Sequence, residues 1–169
     1  MAFYGIQTEK SDYRIHVSPK TRRIYVFPTD AGIRAIAGGQ HRKAVVHTGG
    51  MPTAEGYLVP PRDIKGCRAI SIPDDLLRAL LAVEAGSTSQ KGNKAAQVAC
   101  EMLRRGLIPI VLEARDATEF GLQIDGVDIT IDAKYSIQVK YDEAAGPREW
   151  GGTGNLFLQI AESNPYASH

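Results

Sequence analysis

The chain has 169 residues, 43% of them apolar and 23% charged, with a net charge of +1. That is room for one domain with a full hydrophobic core, or one domain with a sizeable elaboration, and it excludes a polycation. No apolar run approaches the ~20 residues that a membrane-spanning helix needs, and the opening MAFYGIQTEK lacks the apolar stretch of a secretory signal. Cys67 and Cys100 stand far apart without metal-type spacing, so a reduced, cytoplasmic protein is the simplest expectation. Charge is uneven along the chain. Residues 1–86 hold 12 Lys+Arg against 8 Asp+Glu, and residues 87–169 hold 8 against 11. A basic part beside an acidic part suits an anion-binding surface next to a cation-binding site, although so small an excess also arises by chance.

In chain order, Tyr13–Val17 and Arg23–Phe27 are short β-type runs joined by the turn-rich Ser18-Pro19-Lys20-Thr21-Arg22, which predicts a hairpin with a basic tip. Thr29-Asp30 reads as the cap of a short helix over Ala31–Ala37, ended by Gly38-Gly39. Lys43–His47 reads as a strand, 49–61 as a loop and Arg68–Ile72 as another strand. Pro73-Asp74-Asp75 opens an apolar-periodic helix to about Ala85. Gly86-Ser87-Thr88-Ser89-Gln90 is a polar joint. It divides a β-rich part, 1–86, expected to serve DNA binding or dimerisation, from a second part, 87–169. A helix over Asn93–Arg105 follows, with Ala95, Val98, Ala99, Met102 and Leu103 on one stripe and Gly106 at its end. Leu107–Leu112 predicts a strand buried on both faces. Strands are further predicted at Val127–Asp132, Ser136–Asp142 and Asn155–Ile160.

The hairpin Val127–Asp132/Ser136–Asp142 carries the chemistry. Period-two alternation puts Ile129, Ile131, Ile137, Val139 and Tyr141 on a core face, and Asp128, Thr130, Gln138, Lys140 and Asp142 on the other. With Asp132 opposite Ser136, Thr130 pairs with Gln138 and Asp128 with Lys140. An aspartate, a glutamine carbonyl oxygen and a backbone carbonyl are hard ligands suited to Mg²⁺, with Mn²⁺ as a substitute. Lys140 beside them is placed to act on a water or to offset charge on a phosphoryl group. A solvated strand face with an ordinary Asp–Lys cross-strand pair has the same pattern.

The order of these features resembles the PD-(D/E)XK nuclease superfamily, the restriction-endonuclease-like fold that includes Holliday-junction resolvases. The matching stretch is KGNKAAQVACEMLRRGLIPIVLEARDATEFGLQIDGVDITIDAKYSIQVKYD, residues 91–142, just under a third of the chain; TGNLFLQIAE, residues 153–162, looks like a further core strand. The resemblance implies an α/β (α+β) fold whose mixed central β-sheet is flanked by helices, with a β-rich N-terminal elaboration. It matches Asp128 to the metal-binding aspartate, Gln138 to the usual Glu or Asp, and Lys140 to the motif lysine. The Val139 carbonyl would join the metal. Gln97 falls where many resolvase-like members carry a helix glutamate. Val127 replaces the motif's proline, and glutamine at 97 and 138 removes two anionic ligands. Glu101, Asp125 and Asp142 are the nearby acids that would make up the loss.

The expectation is therefore a Mg²⁺-dependent DNA endonuclease of restriction, homing or recombination type, in which a metal-activated water attacks the phosphodiester. Cutting both strands would call for a homodimer. The alternatives are a non-catalytic nucleic-acid-binding module on a degenerate nuclease scaffold, and a plain protein-interaction domain. Arg14, Lys20, Arg22, Arg23, Arg42 and Lys43 are the candidate phosphate contacts, against the simpler reading of a solvated basic face. Trp150, beside Arg148, would stack on a base or cover a core edge. Gly151-Gly152-Thr153-Gly154-Asn155 lacks the Gly-Lys-Ser/Thr ending of a phosphate loop, and His41 and His47 lack metal-type partners.

Overall fold

The structure is a computed structural model and describes residues 5–6, 10–48, 51–109, 120–122, 128–131, 135–146 and 152–162. β-Branched and aromatic residues open it. β1 (Tyr13–Ser18) and β2 (Arg23–Pro28) form the expected antiparallel hairpin, with Arg22 left-handed at its tip (φ 58°). α1 (Thr29–Gly38) follows at once. Thr29 and Asp30 do not cap it. Pro28 holds the N-cap position in extended conformation without a side-chain cap, and the Thr29 hydroxyl lies 3.0 Å from that of Ser11.

β3 (Arg42–Thr48) pairs antiparallel with β4 (Met51–Val59), so most of the stretch read as a loop over 49–61 is a strand. The ladder absorbs its proline and glycine through register shifts, one between Val46 and His47 facing Pro52 and one between Glu55 and Gly56. On its other side β4 pairs with β9 (Leu156–Glu162), giving a three-stranded sheet of order β3-β4-β9. The two strands approach so closely at Gly56 that a Cβ there would collide with the Leu158 carbonyl oxygen.

β5 (Arg68–Ser71) adds to β2. α2 (Asp74–Leu81) has its two acids at the positive helix end and stops at Leu81, short of the expected Ala85. α3 (Thr88–Arg104) begins five residues before the expected Asn93. Its start is a capping box: Gln90 N–H donates to the Ser87 hydroxyl at 3.2 Å, and Ser87 N–H donates to the Gln90 side chain at 2.8 Å. Gly106, left-handed at φ 70°, ends it. Residues 107–109 form no strand and Leu107 is exposed, because the chain turns away at Gly106; 110–112 lie outside the described residues. β6 (Phe120–Leu122), β7 (Asp128–Ile131) and β8 (Tyr135–Tyr141) then run as an antiparallel meander.

The larger sheet has the order β5-β2-β1-β8-β7-β6, mixed because β1 runs parallel to β8. The fold is thus α+β, with two sheets and three α-helices among the described residues. The parts on either side of residue 86 are interleaved. β1, β2 and β5 share a sheet with β6–β8, and β9 joins β3 and β4 rather than lying beside β8. One face of the larger sheet, with Ile15, Val17, Ile129, Ile137 and Val139, packs on the Ala95, Val98, Ala99, Met102 stripe of α3 and on Leu77 and Leu80 of α2. Tyr25 and Phe27 of the opposite face meet Ala31 of α1, Val59 of β4 and Leu156 and Leu158 of β9 in a second cluster. Among the described residues no helix is long and apolar enough to cross a membrane.

Gly56→Ala is expected to lower unfolding stability by about 1–3 kcal/mol, read from urea midpoints, because backbone must move to admit the methyl group. Gly38→Ala, whose Cβ meets nothing within 4 Å, is the control and leaves the midpoint unchanged or raises it.

Candidate functional site

The face of β8 away from α3 carries Gln138 and Lys140, flanked by β1. The parallel register sets Arg14 beside Gln138 and His16 beside Lys140. On the other side Asp128 of β7 stands opposite Gln138 and Thr130 opposite Ser136, two residues from the expected pairing. A two-residue shift preserves the face of every side chain, so Asp128, Gln138 and Lys140 still occupy one row. Asp128 and Lys140 are diagonal neighbours instead of directly opposed.

The smaller sheet covers this face, and a cavity of about 570 Å³ lies between the two sheets. Period two again selects its lining. Arg14 and His16 of β1 and Lys140 of β8 face it from one side, and Arg42, Ala44 and Val46 of β3 from the other. Lys20, from the β1–β2 turn, and Lys91, from the first turns of α3, complete a set of five Lys and Arg side chains. Arg14 is 1% exposed and forms part of the floor, whereas Arg42 is exposed at the rim. The other candidate phosphate contacts go elsewhere. Arg22 and Arg23 are exposed at the hairpin turn, and Lys43, one residue out of phase with Arg42, is paired with Glu55.

Asp142 is buried where β8 ends. Its Oδ2 accepts from His16 Nδ1 at 2.7 Å and from Phe157 N–H at 3.0 Å, and its Oδ1 accepts from Ala144 N–H at 2.9 Å. It is thereby occupied, not turned toward Gln138. Burial, foremost, pushes the His16 imidazole below its ordinary pKa. Arg14 and Lys140 act in the same direction, and the Asp142 bond opposes them. Lys91 Nζ donates to Glu143 at 2.8 Å and sits 5.6 Å from the Tyr141 ring centroid. Burial also pushes the Tyr141 hydroxyl up to about 12.

The helix candidates are not brought to this row. α3 packs on the opposite face of the sheet, where Gln97 is exposed. Glu101 accepts from Arg105 at 3.2 Å, and Arg105 also grips Asp75 of α2 through two bonds of 2.6 and 3.1 Å. That guanidinium holds the Asp75 carboxyl down to about 2. Asp125, Arg148, Trp150 and Gly151 lie outside the described residues. Among the described residues no three His, Cys, Asp or Glu side chains come together as a metal site. The donors at hand are Asp128 by its strand position, the Gln138 carboxamide and the Val139 carbonyl. Gln138 and Val139 offer oxygen ligands of the type a hard cation such as Mg²⁺ takes, and Asp128 stands opposite Gln138 in the strand register.

The sequence reading missed His16, Lys91 and the structural use of Asp142. The alternation Arg14-Ile15-His16-Val17-Ser18 was the available signal, one polar face on a strand. Its meaning depended on β1 being central and on a second sheet covering that face. No family model, curated protein or solved structure matches the chain.

The depressed imidazole predicts a pH dependence. The unfolded chain takes up a proton near 6.5 that folded His16 refuses, so stability present above that pH is lost as pH falls below it. The thermal midpoint should drop between about pH 7 and pH 5 in the wild type. It should drop less in His16→Asn, whose amide keeps a donor for Asp142 and does not titrate.

Proposed function

We propose that this chain is a Mg²⁺-dependent DNA endonuclease acting on a phosphodiester laid across the mouth of the inter-sheet cleft. The observation that carries the reading is the meeting of Lys140, on the Asp128–Gln138 row, with Arg14, Lys20, Arg42 and Lys91 in one cleft. A row of strand charges alone is a solvated face. The same row opening into a cationic cavity is a place for phosphate.

Asp128, Gln138 and the Val139 carbonyl would hold the metal, and when bound it supplies Lewis acidity at the phosphoryl oxygen. The Lys140 ammonium orients the attacking water and offsets the charge that gathers on the phosphoryl oxygens during in-line displacement. Arg42 and Lys20, nearer the rim, hold flanking phosphates and set the register of the strand without reading its bases. β8, flanked on both sides in the sheet, fixes Gln138 and Lys140 more rigidly than a loop would. Cleavage of both duplex strands would use two copies of the chain as a homodimer.

A second reading is favoured by one feature. Asp142 is committed to His16 and Glu101 to Arg105, so two of the acids expected to make up for Gln97 and Gln138 are not available to a metal. On that reading the cleft binds nucleic acid without cutting it.

The decisive assay is supercoiled plasmid and branched DNA incubated with Mg²⁺, with Mn²⁺ and with chelator. Lys140→Ala and Asp128→Asn should each slow metal-dependent cleavage by about 100-fold or more while retaining DNA binding. Wild-type rates in both variants would remove the assigned centre. Salt-sensitive binding with no cleavage under any metal would establish the second reading.

A further inference from the structure

The floor of the cleft holds more than a duplex backbone needs. Arg14 is 1% exposed and His16 0%, both between the sheets. A phosphodiester within a duplex is flanked by sugars on both sides and rides on a wide cylinder. It reaches the rim cations and the half-buried Lys140, not the buried Arg14 and His16 beneath them. The cavity of about 570 Å³ has the size of a pocket for a nucleotide-sized ligand.

His16 adds the chemical discrimination. Its Nε2 is buried and, among the described residues, has no hydrogen-bond partner. Asp142 is surrounded by donors, so the shared proton is assigned to Nδ1 and the lone pair to Nε2. A buried lone pair calls for an O–H or N–H. A phosphodiester monoanion has no proton to offer and would set an anionic oxygen against it. A terminal phosphomonoester ionises a second time near pH 6, so near neutral pH it can bind with uptake of one proton from solvent, and that proton lies between a phosphate oxygen and Nε2. Its other oxygens suit the Arg14 and Lys140 cations on either side.

We propose that the floor of the cleft binds a terminal phosphomonoester, carried by a free nucleotide or by the end of a single DNA strand, through Arg14, Lys140 and His16 Nε2. The assignment takes nucleic acid as the ligand class from the reading above but does not require hydrolysis. Glu143 does not oppose it, being paired with Lys91, and Asp142 is saturated by its three donors.

The test is equilibrium binding in chelator, so that cleavage plays no part. The probes are a 5′-phosphorylated tetranucleotide, its 3′-phosphorylated and unphosphorylated counterparts, and a nucleoside 5′-monophosphate. A phosphorylated form should bind about tenfold or more tightly than the unphosphorylated strand, the difference that a hydrogen bond to a charged group supplies. His16→Asn, which keeps a donor on Asp142 and deletes Nε2, should abolish most of that preference. Retention by the mononucleotide would identify free nucleotides as the source, and retention only by the tetranucleotide would identify a strand end. Equal affinity with and without the phosphate, or a preference unchanged in His16→Asn, would overturn the proposal. Should His16→Asn fail to fold, histidine ¹⁵N spectra of the wild type decide: the Nε2 resonance shifts from its unprotonated position on adding the phosphorylated ligand, and an unmoved resonance overturns the pocket.

Discussion

One buried carboxylate ties the two sheets together. Asp142 lies at the end of β8, takes a proton donor from His16 on β1, and takes the Phe157 N–H at the start of β9. Its own N–H donates to the Val17 carbonyl at 2.9 Å, extending the β1–β8 ladder by one bond. The Ala144 N–H on Oδ1 starts the turn away from the larger sheet. Loss of the carboxylate would strand the buried His16 donor, at about 1–3 kcal/mol, and would remove the partner of the part-buried Phe157 and Ala144 N–H groups, so the node holds the sheets together as well as bridging them.

Two periodicities then decide what the cavity contains. Ile15, Val17, Ile137 and Val139 face α3, which leaves Arg14, His16, Gln138 and Lys140 no direction but the smaller sheet. On β3 the same rule turns the exposed Arg42 to the rim of the cleft and sends its neighbour Lys43 to Glu55. A basic segment that looks continuous in the sequence is therefore sorted by parity. Net charge over a segment says little about the field at a site; alternate residues on central strands say much more.

What was legible in the sequence follows the same division. Local pattern marked β1, β2, β7, β8 and the stripe of α3, because each is a clean repeat of period two or 3.6. β4 was hidden by Pro52 and Gly56, which ordinarily disrupt a strand and are here accommodated by register shifts. The start of α3 was hidden because Ser87 and Gln90 look like a polar linker until they bond to each other as a cap. The row Asp128, Gln138, Lys140 was legible as a face, though its pairing was off by two, since the turn that sets the register has no distinctive residue pair. His16 was not legible as a cleft residue. Its significance comes from β8 pairing with β1 across more than a hundred residues of chain, and no local pattern encodes that contact.

The arrangement carries an energetic cost that bears on its use. Two like charges about 8 Å apart in an effective dielectric near 20 repel by roughly 2 kcal/mol, and this cleft gathers five Lys and Arg side chains. Glu143 offsets Lys91, and the Asp142 carboxylate stands close to the floor, but its hydrogen bonds go to His16 and the backbone. Apolar side chains in the same positions would extend the second core cluster, which already reaches Leu158 and Phe27, and would stabilise the junction between sheets. A chain selected for stability alone would place them there. Cationic side chains between the sheets forgo that stabilisation, and a phosphate bound as proposed would offset the repulsion among them. On the proposed reading, an anion held in the cleft would therefore stabilise the fold as well as being bound by it.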